Sequence, residues 1–173
     1  MSSLVTAYCE SELAARIAAL PGAAAERPFA FEHDGVLLHG RLDVLHLEGG
    51  RALVVDFKSN ALDDEAATAE VVDAEYRLQR LVYALACFRA GAEEVEIVYQ
   101  FLERPDELVS AAFVRADEPA LSAELSAAIA RIQAGEFVPT PSEFACAGCP
   151  ALDVVCAGPR LPSAPRTLAA VGA

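Results

Sequence analysis

Lysine is all but missing from this chain. Of its 13 cationic side chains, twelve are arginine and one, Lys58, is lysine. Histidine is nearly as scarce, at three residues. Long apolar runs are missing too: charge interrupts every hydrophobic stretch within a few residues, which excludes a membrane-spanning helix. The N-terminal segment has no basic region and carries Glu10 and Glu12, so no secretory signal is expected. There is no low-complexity tract and no internal repeat. No G-x-x-x-x-G-K-[ST] loop occurs, which puts ATP hydrolysis outside this chain. Positive charge is in deficit as well. The net charge is −13, and an acidic surface repels nucleic acid and other polyanions.

What is present suits one domain. The 173 residues, 54% of them hydrophobic, can bury a single core without a covalent staple. Five cysteines is an odd number, and three of them, Cys146, Cys149 and Cys156, crowd the C-terminal region. That pattern points to metal binding in a reducing cytoplasm rather than to disulfides. The expected organisation is a domain over residues 1–158, with its core at 26–115, followed by a tail or linker at 159–173.

Periodicity predicts a helix over 3–20, where Leu4, Leu13, Ile17 and Leu20 recur near helical spacing. Strands follow at "PFAFEH", 36–48 and 51–58, with turns at Asp34-Gly35 and Gly49-Gly50. A long helix is expected over 64–90, capped by Gly91. "VEIVYQFLE" and "LVSAAFVR" read as a second strand pair. A last helix opens on Asp117 as its cap, with Pro119 in the first turn, and ends at Gly135. This order predicts an α/β (α+β) fold, a mixed central sheet flanked by helices.

The Gly49-Gly50 hairpin carries the chemistry. A two-residue turn there sets Glu48 opposite Arg51, Asp43 opposite Asp56, and Arg41 opposite Lys58. Facing carboxylates repel, and they need a proton or a cation between them. Mg²⁺ or Mn²⁺ fits, because a hard ion accepts one or two carboxylates and keeps several waters. Alternation puts Lys58 on the face of Asp56. A metal held by Asp43 and Asp56 could polarise a phosphoryl oxygen and activate water, with Lys58 neutralising the developing charge. Lysine is a compact point charge on a flexible stem, a role that arginine fills poorly. On the predicted long helix, Tyr76, Gln79 and Tyr83 share one face. Leu78, Leu81, Val82 and Leu85 form the apolar stripe expected to pack on the sheet.

"GRLDVL" followed by "VVDFKSN", and then "YRLQRLVYA", resembles the PD-(D/E)xK nuclease superfamily, in its RecB/AddA branch of helicase-nucleases. The resemblance covers residues 26 to about 102, and the cysteine tail extends it. It implies a restriction-endonuclease-like core and a metal-dependent deoxyribonuclease of exonuclease type, within a helicase-nuclease that processes double-strand breaks and serves recombination. Asp43, Asp56 and the backbone carbonyl of Phe57 would hold the metal. Lys58 would be the catalytic lysine, and Gln79 and Tyr83 would reach the DNA backbone. The implied partners are DNA, as single strands delivered by a helicase motor, and the helicase domain or subunit itself; no membrane is implied. Arg77 and Arg80 are the local cations available to DNA. A noncatalytic module that holds DNA or docks a subunit is the competing reading.

Two departures from the family pattern stand out. The upstream histidine ligand in its G-x-x-x-H setting is missing: His33, His39 and His46 all fall on predicted strands, and only His39 shares a strand face with Asp43. Either that histidine precedes this chain in a longer protein, or the metal site is reduced. The cysteine trio also lacks a fourth thiolate. Relatives join three C-terminal cysteines to one N-terminal cysteine around a [4Fe–4S] cluster, and Cys9 is the N-terminal candidate here. Zinc is the other metal such thiolates take. Cys87, in the apolar helix, is expected to be a core residue.

Overall fold

The structure, a computed structural model, describes residues 3–59, 68–138, 146, 149–151 and 156. Two compact units divide the chain, Met1–Ala134 and Gly135–Ala173. The first holds a five-stranded sheet in the order β1-β2-β3-β4-β5. Its strands are β1 (Ala24–His33), β2 (Val36–Glu48), β3 (Arg51–Lys58), β4 (Glu94–Phe101) and β5 (Leu108–Val114). All pairings are antiparallel except β3 with β4. A parallel pair needs a crossover, and helices α3 (Thr68–Glu75) and α4 (Arg77–Arg89) lie within that connection. The expected mixed sheet with flanking helices is the observed architecture.

Both tight turns follow from their sequences. Asp34-Gly35 and Gly49-Gly50 all have positive φ, as a two-residue hairpin turn that matches strand twist requires. The second turn sets Glu48 opposite Arg51 and continues in register to Val44 opposite Val55.

Two expected helices are each broken in two. The first divides into α1 (Ser3–Cys9) and α2 (Glu12–Ala18), because Ser11 caps α2 by accepting the Ala14 N–H at 3.2 Å. The second divides at Tyr76, whose backbone (φ −114°, ψ 9°) leaves helical geometry between α3 and α4. Its expected first residues, 64–67, lie outside the described residues. The C-terminus of α4 ends as expected. Gly91 takes φ 97°, and the N–H groups of Gly91 and Ala92 return to Phe88 and Cys87 at 3.0 Å each. At α5 (Glu118–Gln133) the expected side-chain cap is not made. Asp117 occupies the cap position, but its carboxylate accepts from Val114 N–H at 2.9 Å, across a 3-10 turn.

Helices cover both faces of the sheet. On one face α4 buries Tyr83, Ala84, Cys87 and Phe88 against Leu42, Val54, Ile97 and Tyr99. The expected leucine stripe is therefore displaced. Leu81 and Leu85 pack with Leu125 and Ile129 of α5, and Leu78 is exposed. Residues 3 and 4 apart lie on adjacent rows of a helix, and the row of Tyr83, Ala84, Cys87 and Phe88, not the leucines, faces the strands. Cys87 is a core residue, as expected, and burial pushes its thiol up to about 12. On the other face Leu13 of α2 packs with Val44, Leu53, Val55 and Val98. No helix among the described residues is long and apolar enough to cross a membrane.

In the second unit, Cys149 N–H donates to Cys146 O at 3.1 Å, and Cys156 N–H donates to Ala151 O at 3.0 Å. Phe137 and Val138, near its start, are exposed.

Candidate active site

Asp43 sits at a defect in the sheet. The β2–β3 ladder stops at Val44 opposite Val55, one residue short of it. The β1–β2 ladder runs through Ala25–Val44 and Arg27–Leu42 but skips the pair between them, Glu26 and Asp43. Glu26 has φ 54°, a left-handed backbone that costs a non-glycine residue of order 1–3 kcal/mol and recurs at functional sites. Side-chain alternation breaks here as well. Leu42 and Leu45 pack toward α4, whereas Val44 packs toward α2. The direct Asp43–Asp56 and Arg41–Lys58 facing pairs are therefore not formed. Asp43 instead turns its side chain between the strands, where Oδ2 accepts from Phe57 N–H at 2.8 Å. Its charge still reaches Asp56 and Tyr83.

Asp56 is buried on the α4 side of β3, at 3% exposure. Four side chains close a ring there. Tyr83 Oη donates to Asp56 Oδ1 at 2.9 Å, and Gln79 Nε2 donates to Tyr83 Oη at 2.9 Å. Lys58 Nζ donates to Gln79 Oε1 at 3.0 Å and stands 2.5 Å from Asp56 Oδ2. The ammonium lies 4.0 Å from the ring centre of Tyr76, which stacks on Tyr99 at 5.7 Å. The i, i+4 spacing of Gln79 and Tyr83 on α4 brings both over β3. Gln79 and Tyr83 thus share the face that their spacing predicts, and Tyr76 reaches the same site from the break before α4.

Burial dominates the electrostatics. Desolvation pushes the Asp56 carboxyl above the usual aspartate range, against the pull of Lys58 and of the Tyr83 hydroxyl. Tyr83 is pushed up too, by burial first and then by the charge of Asp56. The Lys58 ammonium is the near cation of Asp56 Oδ2, and among the described residues no other donor reaches that buried oxygen. A hard divalent cation fits such an oxygen, with Asp43 as the second carboxylate. Among the described residues no three His, Cys, Asp or Glu side chains converge, so water and phosphate oxygens would have to complete the shell.

The remaining candidates lie elsewhere. His33 hydrogen-bonds Ser126 Oγ at 2.9 Å, His46 lies 3.7 Å from Glu48, and His39 is exposed on β2. Arg77 pairs with Glu124 at 2.7 Å and Arg80 with Asp73 at 2.9 Å. Arg41 pairs with Glu26 at 2.7 Å. Cys9 is an exposed free thiol of the first unit. Cys146, Cys149 and Cys156 are free thiols of the second, and they do not gather into a ligand set.

Tyr99 is the neighbour that sequence reasoning missed. It stands opposite Asp56 in the β3–β4 register, is fully buried, and leaves its hydroxyl without a partner among the described residues. Alternation along "VEIVYQF" gives its face. Only the register of a parallel pair, fixed through a long crossover, brings it beside Asp56.

Comparison with known proteins bears on the fold and the family. The crystal structure of SSO0001 superposes with a TM-score of 0.50 at 18% identity, over 83% of this chain and 64% of that one. A protein of Eubacterium rectale, provisionally described as an exonuclease, gives 0.48 at 15% identity, over 88% of this chain and 59% of that one. The chain thus spans less than two thirds of either structure. A comparison with curated proteins finds no match. A model of the PD-(D/E)XK nuclease superfamily matches residues 3–156, and with Asp43, Asp56 and Lys58 placed as described, the chain belongs to that superfamily.

Proposed function

We propose that this domain is a metal-dependent deoxyribonuclease of exonuclease type, part of a helicase-nuclease that acts in double-strand break repair and recombination. The observation that carries the reading is the buried Asp56 carboxylate, with one oxygen held by Tyr83, the other beside Lys58, and Asp43 at the sheet defect next to it. Asp43 and Asp56 would hold Mg²⁺ or Mn²⁺, with the carbonyl of Phe57 as a third donor. The ion would supply Lewis acidity and an activated water at the phosphodiester.

The chain's own groups do the rest. Lys58 offsets negative charge that builds on the phosphoryl oxygens. Gln79 holds the ammonium through Oε1, and Tyr83 keeps Asp56 oriented. Most phosphate affinity for DNA comes from cations, and the site's arginines are already paired. Delivery of single strands by a helicase motor would make up for that deficit.

Titration calorimetry with Mn²⁺ tests the metal site directly. Wild type should bind one ion tightly enough to measure, and Asp56→Ala should not. Equal binding by both proteins overturns the assignment. Release of nucleotides from single-stranded DNA, present in wild type and lost in Lys58→Met, tests the chemistry.

One observation favours the second reading, a module that holds DNA or docks a subunit. Asp56 and Lys58 are both nearly closed to solvent, and the ammonium already serves as counter-charge to the acid. On that reading, Mn²⁺ binding is absent from wild type as well. The C-x2-C-x6-C spacing of Cys146, Cys149 and Cys156 supports a [4Fe–4S] site, with Cys9 as fourth thiolate and zinc as the other occupant. Among the described residues, Cys146, Cys149 and Cys156 do not gather into a ligand set. Visible absorbance of anaerobically purified protein separates the two metals.

A further inference from the structure

A second recess opens on the other side of Asp43. It has a volume of about 570 Å³, and its walls include Tyr8, Ala25, Glu26, Asp43 and Phe57. Small-molecule sites span roughly 300–1,000 Å³, so a nucleoside fits it by size. Tyr8 and Phe57 meet edge to face, with ring centres 5.0 Å apart and planes at 77°. An edge-to-face pair leaves at least one ring face uncovered by its partner. Both residues are half-buried, so they line the recess and still form part of its surface.

Charge decides what can enter. The acids of the wall are Glu26, which Arg41 pairs at 2.7 Å, and Asp43, and no lysine or arginine is among the described residues that line it. Asp43 would repel a phosphate there. A nucleobase is uncharged, carries amino and imino donors for carboxylates, and presents a π-face to an aromatic ring. Asp43 belongs to both the recess and the metal-ligand pair, so a base in the recess lies next to a phosphate at the metal.

We propose that this recess is a nucleobase subsite, in which Tyr8 stacks one base of a single DNA strand beside the phosphodiester to be cut. The proposal rests on the nuclease reading above. It adds a substrate-gripping surface made of uncharged aromatic area, which suits a domain as acidic as this one. A single strand is the form that can use it, because a paired base keeps both its faces in the duplex stack.

The test uses the intact chain and short single-stranded DNA carrying 2-aminopurine, whose fluorescence falls on stacking. Binding is read with Ca²⁺ present, and KM and kcat are read in Mg²⁺. Tyr8→Phe should quench like wild type. Tyr8→Ala and Tyr8→Leu should lose the quench, bind roughly tenfold more weakly and raise KM with kcat held. Tyr8→Leu keeps the apolar bulk of α1, so it carries the test if Tyr8→Ala fails to fold. Quench and KM equal to wild type in Tyr8→Leu overturn the subsite and leave the nuclease reading intact. A wild type that binds Mn²⁺ yet neither cleaves nor quenches overturns the nuclease reading, and the subsite with it.

Discussion

Lys58 Nζ stands 2.5 Å from Asp56 Oδ2, and both residues are buried. Removing one partner of such a pair strands the other charge, at a cost of about 3–5 kcal/mol, whereas replacing both by neutral groups is often near neutral. Lys58→Met and Asp56→Asn should each lower stability in denaturant, and the double variant should recover most of the loss. A double variant that loses the sum of the two single effects would show that the charges are not coupled.

Stability should also carry the mark of Asp56 in its pH dependence. Its carboxyl lies above the usual range because burial disfavours the anion. The folded state therefore keeps a proton that the unfolded state releases at a pKa of about 3.9. Its contribution to stability is greatest in acid and declines as pH climbs from there through the raised pKa. Removing both charges with the Asp56→Asn, Lys58→Met pair should flatten that slope in the Tm profile. Mn²⁺, which needs the anion, should bind more weakly as pH drops through the same window.

Tyr99 gives a prediction whose sign carries the information. A buried hydroxyl with no partner costs about 1–3 kcal/mol, so Tyr99→Phe should raise Tm if the group is idle. Its place opposite Asp56 leads us to expect the other sign: a lower Tm and weaker Mn²⁺ binding, through a bound water shared with the acid. Thermal melts with and without Mn²⁺ decide between them.

Gly40 is required by packing alone. A Cβ at that position would lie 2.7 Å from Phe29 Cζ, and Phe29 packs against two clusters of the core. Gly40→Ala should cost about 1–3 kcal/mol in chemical denaturation, with Mn²⁺ affinity unchanged.

Much of this site could be read from the sequence, for local reasons. Gly49-Gly50 fixes the hairpin register, because both residues tolerate positive φ, and D-x-K alternation sets Lys58 beside Asp56. Helical spacing placed Gln79 and Tyr83 over them. Three features were hidden. The defect at Asp43 depends on the backbone of Glu26 across a neighbouring strand. Tyr99 depends on a parallel register that no local pattern encodes. The break at Tyr76 interrupts an apolar pattern that runs on through it, because its ring leaves the helix to stack on Tyr99 and cover the ammonium. Likewise, the partner of Arg77, Glu124, lies on a helix distant in the chain, which no local pattern discloses.

The parallel seam between β3 and β4 leads us to expect an order of assembly. The β1–β2–β3 meander closes through two short turns, whereas β4 can dock only once the whole α3–α4 connection has folded back. Such long-range closure is the slow, high-contact-order step. Asp43, Asp56 and Lys58 belong to the early meander, but Gln79, Tyr83 and Tyr99 reach them only with that late closure. A chain whose β3–β4 seam is still open would hold Asp43, Asp56 and Lys58 without the hydrogen bonds of Gln79 and Tyr83 that align them.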